Sequence, residues 1–328
     1  MNTLSKTIKG YFFLISVVLP LFLGISLARA ECIGVITAGG GEDFWQQVAN
    51  GATEAGKDLD YPVIVRGPVN ESDNKNQLLI MQNMLDSGCN ALVMAPNSTE
   101  HIEQIEALSK SGVPIVFIDR DIGGPGISIV ATDNFHAGVL AGEEMIKHLD
   151  KGSTIAVLRF SENLNSTSER EQGFLATINK SHFLIAVDEY IGTDLTEASE
   201  NAYKLLSEHS EIQGLFTPNE LTSLAALNMR KRIRNDRKII HIGFDTHPSL
   251  LDAVSRGDME AIIIQNPFQI GYLGVKQAMD AMQGEDATRV IKTPFLLVNA
   301  KNINSPEVRQ TLEQESLKTK LATSRQVK

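Results

Sequence analysis

The chain has 328 residues, more than one ordinary domain and suited to two lobes of about 100–150 residues each, so a small scaffold held by disulfides is excluded. Hydrophobic residues make up 42% and charged residues 21%, with 25 Gly and 11 Pro, which argues against wholesale disorder, collagen and a multi-span membrane protein. Forty acidic against 30 basic side chains leave a formal charge of −10; a phosphate backbone finds little to attract it, and nucleic acid is not expected as a partner.

Residues 1–30 read as a secretory signal peptide. Lys6 and Lys9 precede an apolar run from Tyr11 to Leu27, which ends in the small-residue pattern Ala28-Arg29-Ala30. A membrane anchor is the alternative, but the run holds Pro20 and Gly24 and is barely long enough to span. Cleavage after Ala30 is expected, giving an exported, periplasmic chain that starts at Glu31. Arg29 and Glu31 are poor neighbours for lipid attachment at Cys32. Cys32 and Cys89 sit at or just before the starts of two apolar strand-like runs. If those strands are parallel neighbours, a bridge is geometrically open to them in an oxidising compartment; two buried free thiols are the alternative.

Beyond the signal, short β-branched runs alternate with segments of helical periodicity. Strands are expected near Cys32 to Thr37, Pro62 to Arg66, Ala91 to Ala95, Ile115 to Ile118 and Ile127 to Ala131. Phe44, Val48, Ala52 and Ala55 form one helical stripe, and Leu78, Met81 and Leu85 form the next. After Asp133 the rhythm repeats, with strands near Thr154 to Arg159, Phe183 to Tyr190, Gly214 to Thr217, Ile239 to Phe244 and Ala261 to Gln265. The fold class is therefore α/β, with two doubly wound parallel-sheet (Rossmann-like) lobes. No Gly/Ser-rich or Pro-rich tract separates the halves, so the lobes are expected to touch along a cleft. Ser305 to Lys328 is polar, with a short helix expected near Pro306 to Leu317 and a tail beyond it.

Catalytic signatures are missing: there is no G-x-S-x-G, H-E-x-x-H, Walker sequence or paired C-x-x-C. The seven histidines are scattered singly without ligand spacing, so no metal is expected; His247, after a strand end, is the one nearest a cleft. Gly39 to Gly41 follow a strand and open a helix, as a phosphate cradle would, but Glu42 and Asp43 place carboxylates where phosphate oxygens would lie. Four N-x-S/T sequons, at Asn70, Asn97, Asn165 and Asn179, read as chance.

What stands out is the set of residues at successive strand ends, where open parallel sheets bind ligands. Glu42, Phe44 and Trp45 follow the first strand, and Asp119 and Arg120 follow Ile118. In the second half Asn219 follows Thr217, Phe244 and Asp245 close the run from Ile239, and Gln265 follows Ile264, while Arg170 opens a helix. Planar donors and acceptors of this kind bracket adjacent hydroxyls, and flat rings cover the C–H faces of a sugar. Phe44 fits either role, since it also lies on the core stripe.

In their order these motifs resemble the ribose-binding-protein family of type I periplasmic substrate-binding proteins. The resemblance rests on D-F-W at Asp43 to Trp45, G-V-P-I-V-x-I-D-R ending at Arg120, T-D-N at Thr132 to Asn134 and S-E-R-E-Q-G-F at Ser168 to Phe174. It continues with N-E at Asn219, G-F-D at Gly243 to Asp245 and Q-N-P-x-Q-I-G at Gln265 to Gly271.

The resemblance implies that Phe44 and Trp45 stack on a ligand, with Asp119 and Arg120 as the hydroxyl-binding pair of the first lobe. Arg170, Asn219, Asp245 and Gln265 would form the polar set of the second, with Phe244 as its stacking aromatic. Glu42, where relatives often carry Asn, and Thr193, near an additional aromatic position, depart from the pattern and point to a sugar other than plain ribose. The family fold implies three hinge crossovers, near Thr132-Asp133, Gln265-Asn266 and Pro294-Leu297. The first lobe would then comprise residues 31–132 and 266–294, and the second 133–265 and 295–305. The implied function is capture of a sugar or polyol for an ABC importer, by a monomer without cofactor or catalysis. The alternative is a sensory co-receptor for a membrane histidine kinase or chemoreceptor. A LacI-type repressor shares the lobes but requires a helix-turn-helix where this chain carries an export signal.

Overall fold

The computed structural model describes residues 31–40, 43–124, 126–162, 164–233 and 238–312. The expected signal segment, Glu42 and the far end of the C-terminal segment lie outside the described residues.

The first half supplies β1 (Cys32–Ile36), α1 (Asp43–Asp58), β2 (Val63–Arg66), α2 (Asn74–Asp86), β3 (Cys89–Met94), α3 (Ile102–Lys110), β4 (Ile115–Ile118) and β5 (Ser128–Thr132). The second half continues with α4 (Asn134–His148), β6 (Thr154–Arg159), α5 (Asn165–Ile178), β7 (Leu184–Tyr190), α6 (Leu195–Glu208), β8 (Ile212–Phe216), α7 (Glu220–Arg232), β9 (Ile240–Phe244), α8 (Pro248–Arg256) and β10 (Ala261–Ile264). It closes with α9 (Pro267–Met282), β11 (Val290–Thr293) and β12 (Leu296–Asn299). The strands form two six-stranded sheets, ordered β11-β5-β4-β3-β1-β2 and β12-β10-β9-β8-β6-β7.

Pairing is parallel throughout except between β10 and β12. Strands β1, β4 and β10 are buried along their whole length, which explains their continuous apolar runs: a parallel strand covered by helices on both faces has no polar side to alternate with. Ten of the strands stand where periodicity placed them, to within a few residues at the ends. Strands β11 and β12 were not anticipated. Each is a four-residue edge strand and Pro294 lies between them; β11 leaves Val290 half exposed, and β12, although apolar and burying Val298, is too short to stand out as a strand.

The chain passes between the sheets three times. Helix α4 follows β5 but packs on α5 and β9; α9 follows β10 but packs on α1, β3, β4 and β5; and β11 and β12 belong to different sheets. One device anchors a helix pair in each lobe. A Cβ on Gly51 of α1 would lie 1.9 Å from the Phe268 carbonyl oxygen of α9, and one on Gly138 of α4 would lie 2.0 Å from that of Arg170 in α5. Backbones this close admit only glycine. Cys32 and Cys89 are cross-strand partners at the starts of β1 and β3 and form a disulfide. It sits in the apolar cluster under α2, against Met81 and Met84.

Candidate functional site

The carboxyl ends of both sheets face one another across an interlobe cleft, and residues from four strand ends and three helix starts meet there. Phe44 and Trp45 open α1 with their rings edge to face at 4.8 Å. Both are nearly buried, at 7% and 2% exposure, because the same helical stripe packs on the first sheet while its opening turn reaches the cleft.

Asp119 and Asp245 follow β4 and β9 in equivalent positions, and both adopt left-handed backbone angles, φ 64° and 74°. Aspartate tolerates this region better than most residues. The turn aims each carboxylate into the cleft while the amide continues its sheet, Asp119 donating to the Val130 carbonyl and Asp245 to that of Ile263.

The first lobe's polar residues hold one another. Arg120 donates from Nε to Asp119 Oδ2 at 3.2 Å and from Nη1 and Nη2 to Glu71 Oε2 at 3.0 and 3.1 Å. Its guanidinium lies over the Trp45 ring at 5.3 Å, while Trp45 Nε1 donates to Glu71 Oε1 at 2.6 Å. Burial works against the Arg120 charge, but Glu71 and Asp119 outweigh it and hold its pKa above the usual value. Asn97 sits behind, donating to the Ala38 carbonyl and accepting from Arg120. Its burial leaves no room for the glycan that its sequon would allow.

The second lobe's residues are wired into the backbone. Arg170 donates from Nε to Asn134 Oδ1 and from Nη1 to the Pro218 carbonyl, both at 2.8 Å. Asn219 caps α7 by accepting from the Thr222 amide and hydroxyl. Asp245 accepts from the Glu220 amide at 2.9 Å and from Gln265 Nε2 at 2.7 Å, and Gln265 in turn accepts from Thr132 at the end of β5. Burial pushes the Asp119 and Asp245 carboxyls up, with Arg120 and Arg170 pulling the first back and Arg170 the second; burial also lowers the Arg170 pKa.

Eight of the residues expected at the site, Phe44, Trp45, Asp119, Arg120, Arg170, Asn219, Asp245 and Gln265, line one cavity. Phe244 does not join them. Its ring is wholly buried beside Phe216, and the Arg170 guanidinium covers it at 4.7 Å. As the last residue of β9 it faces the core, and the next residue faces the cleft; Phe244 thus supports Arg170 from beneath. Thr193 lines a neighbouring cavity together with His247, which also caps α8 through Nδ1. Glu42 lies outside the described residues.

Glu71, Ser166 and Thr167 complete the lining and escaped the sequence reading. Glu71 lies in the loop after β2, so strand-end logic applied to β2 would have led to that loop, though not to this residue. Ser166 and Thr167 precede Arg170 on the opening turn of α5.

The arrangement offers two arginines, three carboxylates, two amides and two hydroxyls around an aromatic floor. It can bracket a hydroxylated ring, and Arg120 and Arg170 balance much of the carboxylate charge. In this conformation the side chains leave a cavity of about 20 Å³, room for about one water.

Comparison with known proteins agrees with this architecture. The family model for a periplasmic binding protein domain matches residues 33–286. The ribose import binding protein of Haemophilus influenzae is 25% identical over 286 residues, covering 87% of this chain and 97% of the relative. The periplasmic component of an ABC-type sugar transport system from Hahella chejuensis superposes with a TM-score of 0.78 at 31% identity, over 81% of this chain and 99% of that one. An ABC transporter solute-binding protein from Agrobacterium vitis, solved with bound D-fucose, superposes with a TM-score of 0.80 at 27% identity, over 85% of this chain and 98% of that one.

Proposed function

Because the chain belongs to the type I periplasmic binding proteins of the ribose-binding family, we propose that it captures a sugar or related polyol between its lobes and presents it, unaltered, to an ABC importer. The observation that carries this reading is the convergence of strand-end residues from both lobes on one cavity. The relatives named as import proteins support delivery over sensing. The protein works as an exported monomer, and its partners are the ligand and the permease.

The ligand's hydroxyls meet Asp119, Arg120, Arg170, Asn219, Asp245 and Gln265, and its C–H faces meet Phe44 and Trp45. The small volume left among these side chains means that a ring enters with the lobes apart. Rotation occurs about the three chain passages, near Thr132-Asp133, Gln265-Asn266 and Pro294-Leu297. Bonds from one ligand to both lobes then stabilise the closed form by differential affinity, and the importer reads that closed form. The bond from Thr132 to Gln265 joins the hinge to the polar set of the second lobe. No bond is made or broken in the ligand; the carboxylates serve as acceptors.

Thermal-shift screening of the chain from Glu31 onward against pentoses, hexoses, polyols and nucleosides tests the reading, because a bound ligand raises the melting temperature by mass action. At least one sugar or polyol is expected to raise it and Asp119→Asn to suppress the shift. A panel without any responder would refute the assignment.

A further inference from the structure

Glu71 is shared by two cavities. On one side it binds Arg120 and Trp45 in the central cluster; on the other it lines a second interlobe cavity of about 320 Å³, within the range of small-molecule sites, about 300–1,000 Å³. Val69 and Asn70 of the first lobe face Leu195, Leu221, Leu224 and His247 of the second across it. Its walls therefore combine aliphatic and polar groups, which suit the C–H faces and hydroxyl edges of a sugar ring, and neither Lys nor Arg is among the described residues that line it.

Glu220 also belongs to this wall. Its residue is 5% exposed, yet Oε2 has no hydrogen-bond partner. Burial, then Asp245 and Asp43, push its pKa up to about 8, and a hydrogen bond from the Phe44 backbone N–H only partly offsets them. The group is therefore mostly a neutral acid at pH 7, and its buried Oε2 stays unsatisfied until a partner arrives. An ether or hydroxyl oxygen would satisfy it, whereas a ligand phosphate or carboxylate would meet Asp43, Glu71 and Asp194 without a counter-charge. A third cavity, beside the chain passage from β5 to α4, is smaller, about 190 Å³, and its Lys292 is already paired with Asp133.

Resting on the sugar-binding reading above, we infer that the second cavity is a subsite for a second, uncharged sugar ring, so that the full ligand is a disaccharide or comparable glycoside with its first ring among Trp45, Asp119, Arg170 and Asp245. Free monosaccharides occupy only the central position.

Isothermal titration with D-glucose, D-galactose, D-ribose and D-allose, beside cellobiose, lactose, melibiose and gentiobiose, tests the subsite. At least one disaccharide is expected to bind about tenfold or more tightly than either of its constituent monosaccharides, a gain of about 1.4 kcal/mol. Leu195→Trp, at an exposed wall position, fills the subsite; it is expected to cancel that gain while leaving monosaccharide affinity and melting temperature unchanged. Monosaccharides that bind as tightly as every disaccharide, or an advantage that survives Leu195→Trp, overturn the subsite alone. Failure of both sugar classes to bind overturns the sugar-binding reading with it.

Discussion

The two lobes contribute similar groups to the cleft but hold them by different means. In the second lobe three of the four polar side chains are fixed by main chain or by a cap: Arg170 on the Pro218 carbonyl, Asn219 on the first turn of α7, Asp245 on the Glu220 amide, while Gln265 is held between the Asp245 and Thr132 side chains. In the first lobe Arg120, Asp119, Glu71 and Trp45 are bound chiefly to one another. Side-chain ion pairs can be exchanged for ligand hydroxyls, whereas bonds to backbone are built into the fold. The second lobe thus offers a preformed surface, and the first an adjustable one.

Arg170→Ala tests this contrast most severely. It removes a buried cation from between two buried carboxylates, and a loss of about 3–5 kcal/mol in chemical denaturation is expected, together with loss of the sugar-induced thermal shift. Near-native stability would show that the second lobe is less dependent on its wiring than its bonds imply.

The disulfide belongs to the first lobe alone. Closing a loop of 57 residues, it constrains the unfolded chain, and the Cys32→Ser, Cys89→Ser double variant is expected to lose about 2–4 kcal/mol, with sugar affinity unchanged in titration.

Glu220 spans the interface, and its effect depends on pH. Its folded pKa, about 8, lies above the unfolded value, so the unfolded chain gives up this proton first. Stability is therefore unaffected well below the ordinary carboxylate range, falls as pH rises towards 8, and stays reduced above it. Relative to the parent, Glu220→Gln is expected to gain roughly 2–3 kcal/mol between pH 5 and pH 9, water in the adjoining cavity screening part of the shift. Denaturation curves at the two pH values measure it; parallel losses in both proteins would contradict the assignment.

The smallest expected effect comes from the helix crossings. Gly138→Ala presses on the Arg170 carbonyl and Gly51→Ala on that of Phe268, each costing about 1–3 kcal/mol. Only Gly138→Ala moves the backbone that carries an arginine of the cleft, so it is expected to weaken sugar binding more than Gly51→Ala does.

The fold was largely legible because parallel strands buried on both faces leave continuous apolar runs, as in β1 and β10. The edge strands β11 and β12 escaped because each is only four residues long with a single buried position, Thr293 in one and Val298 in the other, too little to set a period. Eight of the residues that line the central cavity were legible as a group because polar and aromatic side chains recur where strands end and helices begin. Phe244 was misplaced because sequence order locates a strand end without saying which side of the sheet its last residue faces. Glu71 was missed because its position depends on how the β2–α2 loop folds back to Arg120, a contact set by tertiary structure. Asn97 was read only as a sequon, although it holds the Ala38 carbonyl beside the cleft.

The paired left-handed turns at Asp119 and Asp245 bear on how the cleft can be dissected. Truncation to alanine there would remove a carboxylate and also force a residue with little liking for that geometry to keep it, mixing two costs in one measurement. Asparagine retains the shape and tolerates the turn, so amide replacement isolates the contribution of charge in each lobe.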